Sequence, residues 1–406
     1  MNNIGMVIVG AGMAGARGVI ALRAADYQGS ITLIGEEANL PYDRPPLSKA
    51  SITGDEEPAP ILLLNDDQLR SLSAKFIRNA KVVKLDLKSK SVLLSNGDSV
   101  SYEKLLLATG AKPRKLNVEG GKHALLLRDF EDAQKLRAAF KPDKKIVIIG
   151  GGFIGLELAS SAVKRGCHVT LIEAQPRILM RGVTEAIAKI VHEKHVSEGV
   201  QVLTGTGLSK LEKHAVHLAD GRIIPADTII AGIGAAPEVA LAAEAGLKID
   251  NGIVCDENMR TSDLDVFAAG DCANFPHGLF GATRTRLEAW RSATDQANTA
   301  VGNMLGGAKS HTAIPWFWSD QYDFTLQIAG MPNMGQTIVR RTLSPDSFVE
   351  FHLTSEGRLV GASGIGIGNA IGREVRLAEM LIAKNISPTE VQLADPNIQL
   401  KTLLKG

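Results

Sequence analysis

The feature that most constrains this chain is a unit that occurs twice. Residues 6–37 read MVIVGAGMAGARGVIALRAADYQGSITLIGEE, and residues 145–174 read KIVIIGGGFIGLELASSAVKRGCHVTLIEA. Each copy is an apolar strand, a glycine turn, a helix and a second apolar strand that ends in an acid. Strands that alternate with helices in this way predict a parallel sheet covered on both faces. In the first copy Gly10, Gly12 and Gly15 form G-x-G-x-x-G between strand and helix, and Glu36 follows the second strand. The first glycine permits the tight turn, the second lets backbone approach a pyrophosphate, and the third lets helix and strand pack closely. The helix N-terminus stabilises phosphate charge, and the acid can accept hydrogen bonds from a ribose diol. The second copy repeats the pattern with Gly150, Gly152, Gly155 and Glu173.

A simple dehydrogenase needs one such fold. Two imply two dinucleotides, and the natural pair is a flavin and a nicotinamide. Glu173 favours a free 2′-hydroxyl and repels a 2′-phosphate, which selects NADH over NADPH. Arg177 and Arg181 lie close by and have two readings, as phosphate ligands or as a solvated helix end.

The rest of the chain sorts around the two copies. Residues 80–110 alternate like strands, and 199–238 read as short strands broken by Gly, Asp and Pro. TSDLDVFAAGDCAN supplies a further buried strand ending in Gly270-Asp271, and a helical stretch follows over 286–305. From about residue 311 the texture becomes an antiparallel meander with a helix near 370–384. The expected architecture is α/β: two Rossmann-like dinucleotide-binding domains, for FAD and NAD, plus a C-terminal α+β domain. The expected boundaries are 1–113 (FAD-binding, first part), 114–240 (NAD-binding), 241–310 (FAD-binding, second part) and 311–406 (C-terminal). A length of 406 residues agrees, since one hydrophobic core rarely grows that large.

Composition narrows the partners. Apolar content of 45% and charged content of 22% are ordinary for a globular protein. A formal net charge of +1 gives no global field for nucleic acid or an anionic membrane, so neither is an expected partner. The sequence predicts no signal peptide and no membrane span, because no apolar run approaches the roughly 18 residues a span requires. The three cysteines, Cys167, Cys255 and Cys272, form neither a CxxC pair nor a zinc spacing. No metal site is expected, and the expected compartment is the reducing cytoplasm.

Besides the glycine motifs, YDRPPLSK (42–49), LLLATGAKPR, AGIGAAPE, DVFAAGDCA and PWFWSDQ follow in order over nearly the whole chain. The set resembles the glutathione-reductase-type flavoproteins, and within them the NADH-dependent ferredoxin reductases that serve bacterial Rieske dioxygenases and cytochromes P450. The resemblance implies that the first fold holds FAD and the second NADH. It implies that Arg44 and Pro45 contact FAD from a loop stiffened by its two prolines, and that Lys49 approaches the flavin ring near N5. A cation there stabilises the anionic reduced ring. Glu157, placed on the first turn of the second motif's helix, is expected to form an ion pair with Lys49 at the hydride-transfer site.

Further positions follow from the same resemblance. Asp271 and Gly270 belong to the ribityl or pyrophosphate region, and Arg128 lies near FAD. Ala14 and Val82 line the adenine side, and Ala108, Thr109 and Gly110 complete the cradle. Glu288, Ala289 and Trp290 meet the pyrimidine end, while Phe153, Ile154 and Gly234 border NADH. Trp318, two residues after Trp316 and on the same strand face, is expected beside the flavin where electrons leave.

Residues 36–60 contain no cysteine, where related disulfide reductases carry a redox pair. Electrons must therefore leave singly for a one-electron carrier, an acidic [2Fe-2S] ferredoxin. Lys309, Arg284, Arg286, Arg340 and Arg341 are candidates for its basic docking patch. Two alternatives stand beside this reading: a rubredoxin reductase, and a redox-sensitive NADH-binding protein resembling apoptosis-inducing factor.

Overall fold

The protein is described by a computed structural model that covers residues 4–281 and 283–405. It divides into two compact units. One comprises residues 1–43, 60–112 and 237–317, and the other residues 44–59, 113–236 and 318–406. The expected boundaries at 113, 240 and 310 differ from these cuts. Segment 44–59, expected within the first domain, packs with the second unit.

The first unit is built on a seven-stranded sheet. Its order is Ala74–Ile77, Ile31–Ile34, Gly5–Val9, Ser99–Leu107, Ser91–Leu94 and Val82–Asp86, with Val266–Ala268 also paired to Ser99–Leu107. That nine-residue strand, SVSYEKLLL, serves two neighbourhoods. Ser99–Ser101 pair antiparallel with Ser91–Leu93, whereas Leu105–Leu107 pair parallel with both Val7–Val9 and Val266–Ala268. The polar alternation of its first half and the leucine run of its second match one-sided and two-sided burial. Helix Met13–Ala24 packs against helix Trp290–Met304. The latter starts later than residue 286 because Arg284–Thr285 pair with Phe275–Pro276, and Ala289 is still extended at φ −144°.

The second unit holds a four-stranded parallel sheet in the order Gln201–Leu203, His168–Ile172, Lys145–Ile149 and Thr228–Ala231. A three-stranded antiparallel sheet, Leu208–Glu212, Ala215–Leu218 and Ile223–Pro225, accompanies it. A five-stranded sheet orders Trp316–Gln321, Phe324–Gly330, Leu359–Ile367, Ser347–Leu353 and Thr337–Ser344, and helix Gly372–Ala383 packs on it.

Segment 44–59 is tied into this unit from several sides. Pro45–Ser48 form one 3-10 turn, followed by helix Ala50–Thr53. Ile52 is fully buried in the core of the second unit. Arg137 donates to the carbonyls of Ile52, Gly54 and Glu56 at 2.9, 2.6 and 2.9 Å. A segment held by core burial and by a charged donor on its second half is a rigid platform for the side chains it carries.

Candidate active site

In the first unit, Gly10 has φ +108°, and a Cβ there would meet the Ala108 carbonyl oxygen at 2.1 Å. A Cβ on Gly15 would meet the Gly10 carbonyl oxygen at 1.8 Å. Both positions therefore require glycine for backbone reasons alone. Gly12 is the N-cap of helix Met13–Ala24, with no side-chain cap and no acid in the first turn. Helices Asp66–Ser71 and Phe130–Ala139, by contrast, are capped by Asn65 and Asp129. The unpaired N–H groups of an uncapped twelve-residue helix suit a phosphate.

Other expected residues gather around this turn. The turn at Gly270, φ +86°, lies so near the helix that a Cβ on Gly270 would stand 3.2 Å from that of Ala14. The Gly270 N–H donates to Gln296 at 2.8 Å, and Asp271 follows it, half-buried. Thr109 donates to the Glu238 carbonyl at 2.7 Å, while the Gly110 carbonyl accepts from the Glu238 N–H. Glu36 is exposed and pairs with Lys81 at 3.3 Å, beside Val82. Trp290 donates to Asp43 at 2.6 Å, which fixes the helix start that follows Glu288 and Ala289.

In the second unit the glycine turn repeats. Gly150, φ +111°, would place a Cβ 2.4 Å from the Gly232 carbonyl oxygen, and Gly155 one 2.0 Å from that of Gly150. A Cβ on Gly152 would meet nothing within 4 Å, nor would one on Gly234. Nothing in the protein's own packing requires glycine at 152, so the open space in front of it fits a ligand that approaches the backbone. Gly152 caps helix Phe153–Lys164 without a side-chain bond. Ile154 is 48% exposed on that first turn, an apolar side chain left facing outward beside the glycine turn.

The Glu173 carboxylate folds back onto the turn. It accepts from the Gly151 N–H and the Gln175 N–H, both at 2.7 Å. Arg177 donates to the carbonyls of Ile178, Leu179, Met180 and Val183. Its guanidinium therefore caps a loop, and it is not available as the phosphate ligand that the sequence left open. Arg181 is exposed.

Lys49 and Glu157 meet. Lys49 Nζ lies 2.9 Å from Glu157 Oε2. Glu157 is not on the first turn, as expected, but is the fifth residue of its helix and only 6% exposed. A helix N-terminus therefore does not explain this acid. Its charge is met by Lys49, by Ser48 Oγ at 2.5 Å on the same oxygen, and by Ser319 Oγ at 2.6 Å on Oε1. Burying a carboxylate is costly unless it is paired and hydrogen-bonded, and here both conditions hold. Ser161 in turn donates to the Ser48 carbonyl at 2.6 Å. On the same platform Arg44 donates to the Arg128 carbonyl at 2.6 Å, next to half-buried Pro45.

Ser48 and Ser319 were missed by sequence reasoning. The available signal was position: Ser48 precedes Lys49, and Ser319 follows Trp318. In strand Trp316–Gln321 the alternation turns Ser319 and Gln321 inward, while Trp318 faces the other way and donates to Asp320 at 3.1 Å.

The basic docking candidates separate. Arg341 is 1% exposed and donates to Glu374 and to the carbonyls of Leu393, Gln392, Asp395 and Ile398. It is a structural residue tying the C-terminal helices to strand Thr337–Ser344 and cannot reach a partner. Arg340 pairs with Glu350 at 2.7 Å and stacks over Phe348 at 4.2 Å. Arg284 bonds the Cys255 and Asn274 carbonyls, and Arg286 the Asp271 carbonyl and Glu288. Lys309 is exposed. The three cysteines are free and buried. Burial pushes the Cys167 thiol up to about 11 and raises those of Cys255 and Cys272, so all three are poor thiolates.

Two dinucleotide-type turns and a lysine held on a buried carboxylate define a pyridine-nucleotide oxidoreductase. Comparison with known proteins agrees. Residues 5–297 match the pyridine nucleotide-disulphide oxidoreductase family and residues 316–404 the reductase C-terminal domain. The ferredoxin–NAD(+) reductase component of an anthranilate 1,2-dioxygenase system from Burkholderia cepacia is 36% identical over 98% of both chains. A rubredoxin–NAD(+) reductase from Pseudomonas putida is 41% identical over 80% of this chain and 86% of its own. The reductase in the covalent putidaredoxin reductase–putidaredoxin complex superposes with a TM-score of 0.93 at 33% identity, covering 100% of this chain and 99% of that one. The chain belongs to the pyridine nucleotide-disulphide oxidoreductase family and, within it, to the ferredoxin–NAD(+) reductases. Among the described residues no helix is long and apolar enough to cross a membrane.

Proposed function

We propose that this enzyme carries electrons from NADH through FAD to a small acidic [2Fe-2S] ferredoxin in the cytoplasm, and that the ferredoxin serves a Rieske dioxygenase or a cytochrome P450. The observation that carries the reading is the buried Glu157 holding Lys49 at 2.9 Å on the helix of the second glycine motif, in a chain with no thiol pair for a disulfide relay. The reaction balances as one NADH and two oxidised carriers giving NAD+, two reduced carriers and one proton.

The residues divide the work. Gly10, Gly12, Ala14 and Gly15 would bring the uncapped helix N-terminus onto the FAD pyrophosphate, with Glu36 and Val82 toward the adenosine. Ala108, Thr109, Gly110, Gly270 and Asp271 would line its middle, and Glu288, Ala289 and Trp290 its pyrimidine end. Arg44, Pro45 and Arg128 would hold it from the proline platform. Bound FAD supplies the conversion between the two-electron hydride of NADH and one-electron carriers. Gly150, Gly152 and Gly155 would receive the NADH pyrophosphate, with Phe153, Ile154 and Gly234 beside the nicotinamide half and Glu173 on the adenine ribose. The spent guanidinium of Arg177 supports NADH over NADPH. Lys49 would place a cation where negative charge develops, and Glu157 would hold it there. Trp318 would stand at the electron exit. Residues 1–113 with 241–310, apart from segment 44–59, would then form the FAD-binding domain, 114–240 the NAD-binding domain, and 311–406 the third.

The rubredoxin–NAD(+) reductase relative makes rubredoxin the second acceptor to test. Steady-state reduction of a [2Fe-2S] ferredoxin and of a rubredoxin, each with NADH and NADPH, separates the readings. The expected result is a flavin spectrum, NADH preference and faster turnover with ferredoxin. Slow turnover with every carrier, together with a stable NADH complex, would contradict it.

A further inference from the structure

The Glu157 carboxylate is the end of a longer chain. Ser319 donates to Glu157 Oε1 at 2.6 Å and so spends its only proton. Gln321 Nε2 then donates to Ser319 Oγ at 3.1 Å. That orientation turns Gln321 Oε1 toward His195 Nε2 at 2.9 Å, which must carry a proton. Burial pushes the His195 imidazole down to about 4, so its Nδ1 is an acceptor at neutral pH. Burial also raises the Tyr322 phenol, which stays protonated and donates to that Nδ1 at 3.1 Å. Every bond from Tyr322 to Glu157 therefore points the same way.

Three elements converge to build the chain. Glu157 comes from helix Phe153–Lys164, His195 from helix Glu185–Ser197, and Ser319 and Gln321 from the inward face of strand Trp316–Gln321. The far end is anchored at a cost. Tyr322 has φ +55°, a conformation that strains a bulky side chain. Its N–H donates to Ser160 at 3.1 Å, and its ring meets that of His195 edge-on at 5.0 Å. Lys194 lies 5.5 Å above the same ring.

We propose that Ser319, Gln321, His195 and Tyr322 are positioning residues for the Lys49–Glu157 pair, a one-directional chain of donors that holds the carboxylate as an oriented anion under the lysine. The inference rests on the reading above that Lys49 faces the reacting groups. Aligned donors polarise one another, so each link strengthens the bond that reaches Glu157. The amide of Gln321 cannot readily pass a proton along, so the chain orients and does not conduct.

The test is made on the holoenzyme. Nitrogen-15 NMR of labelled histidine should find His195 neutral and protonated at Nε2 at pH 7. Ser319→Ala should slow hydride transfer at saturating NADH about tenfold, with NADH affinity nearly unchanged, since one hydrogen bond to a charged group is lost. Gln321→Leu should slow it less, about threefold, and disturb the His195 signals. Ser319→Thr restores the hydroxyl and should rescue the rate. Val191→Ala trims the buried face of the same helix one turn before His195; it should lower Tm and leave the rate alone. A His195 protonated at Nδ1, or wild-type hydride transfer in Ser319→Ala, would overturn the chain. A wild-type protein that NADH cannot reduce would instead overturn the reading of the site, and the His195 tautomer would still judge the chain.

Discussion

The two glycine-motif units begin alike and end differently. In both, the first glycine is fixed by positive φ and a carbonyl behind it, and the third by the carbonyl of the first. The divergence lies one residue past the second strand. In the first unit Gly35 intervenes after Ile34, and Glu36 projects outward to an exposed Lys81. In the second unit Glu173 follows Ile172 directly, and its carboxylate bonds the Gly151 N–H inside the glycine turn. The helices diverge too. Where the second carries Glu157 two residues past its third glycine, the first carries Arg17, half-buried. The same scaffold is thus finished in two ways, with the acid turned outward to an exposed lysine in one unit and folded back onto the glycine turn in the other.

The largest effects should come from the glycines themselves. Gly10→Ala should yield a protein without flavin. Gly150→Ala should keep the flavin and raise the KM for NADH roughly 100-fold, because strain and a carbonyl clash act only in that turn. Visible spectra and NADH titrations of the two variants check this. Equal loss of flavin in both would erase the distinction between the units.

Next comes Lys49→Met, expected to retain flavin and slow its reduction by NADH roughly 100-fold, as loss of one preorganised electrostatic contact does. Stopped-flow reduction measures it. Glu173→Ala should cost about tenfold in NADH efficiency and narrow the preference over NADPH, and the matching change Glu36→Ala should leave NADH kinetics alone.

Acid should act on both units. His311 in the first, and His195 and His352 in the second, are pushed down by burial to about 4 from the ordinary 6.5. Each is neutral in both folded and unfolded chains above that ordinary value. Below it the unfolded chain takes the proton first, so stability is lost as pH falls from about 6.5 toward 4, by about 3 kcal/mol per ring. Denaturant melts at pH 7 and 5 check the sign. The smallest effect should be Lys81→Ala, below about 0.5 kcal/mol, since the Glu36–Lys81 pair is exposed.

Much of this could be read from the residues. The repeat announced two parallel cores because period and glycine spacing are local properties. Lys49 and Glu157 were paired correctly although 108 residues separate them, and only the resemblance to a known family could do that. The helical position of Glu157 and the true role of Arg341 were not legible. Burial and hydrogen-bond partners are set by distant strands, and an exposed and a core arginine look the same in a sequence. Ser48, Ser319, Gln321 and His195 were hidden for the same reason. Serine, glutamine and histidine are ordinary residues until folding aims them at one carboxylate.

The most direct test is anaerobic stopped flow with NADH, with and without a [2Fe-2S] ferredoxin. The flavin band should bleach within the dead time or shortly after, then recover as ferredoxin is reduced in a ratio of two to each NADH. A flavin that bleaches and holds its electrons with ferredoxin present, or a protein with no flavin band, would contradict this reading.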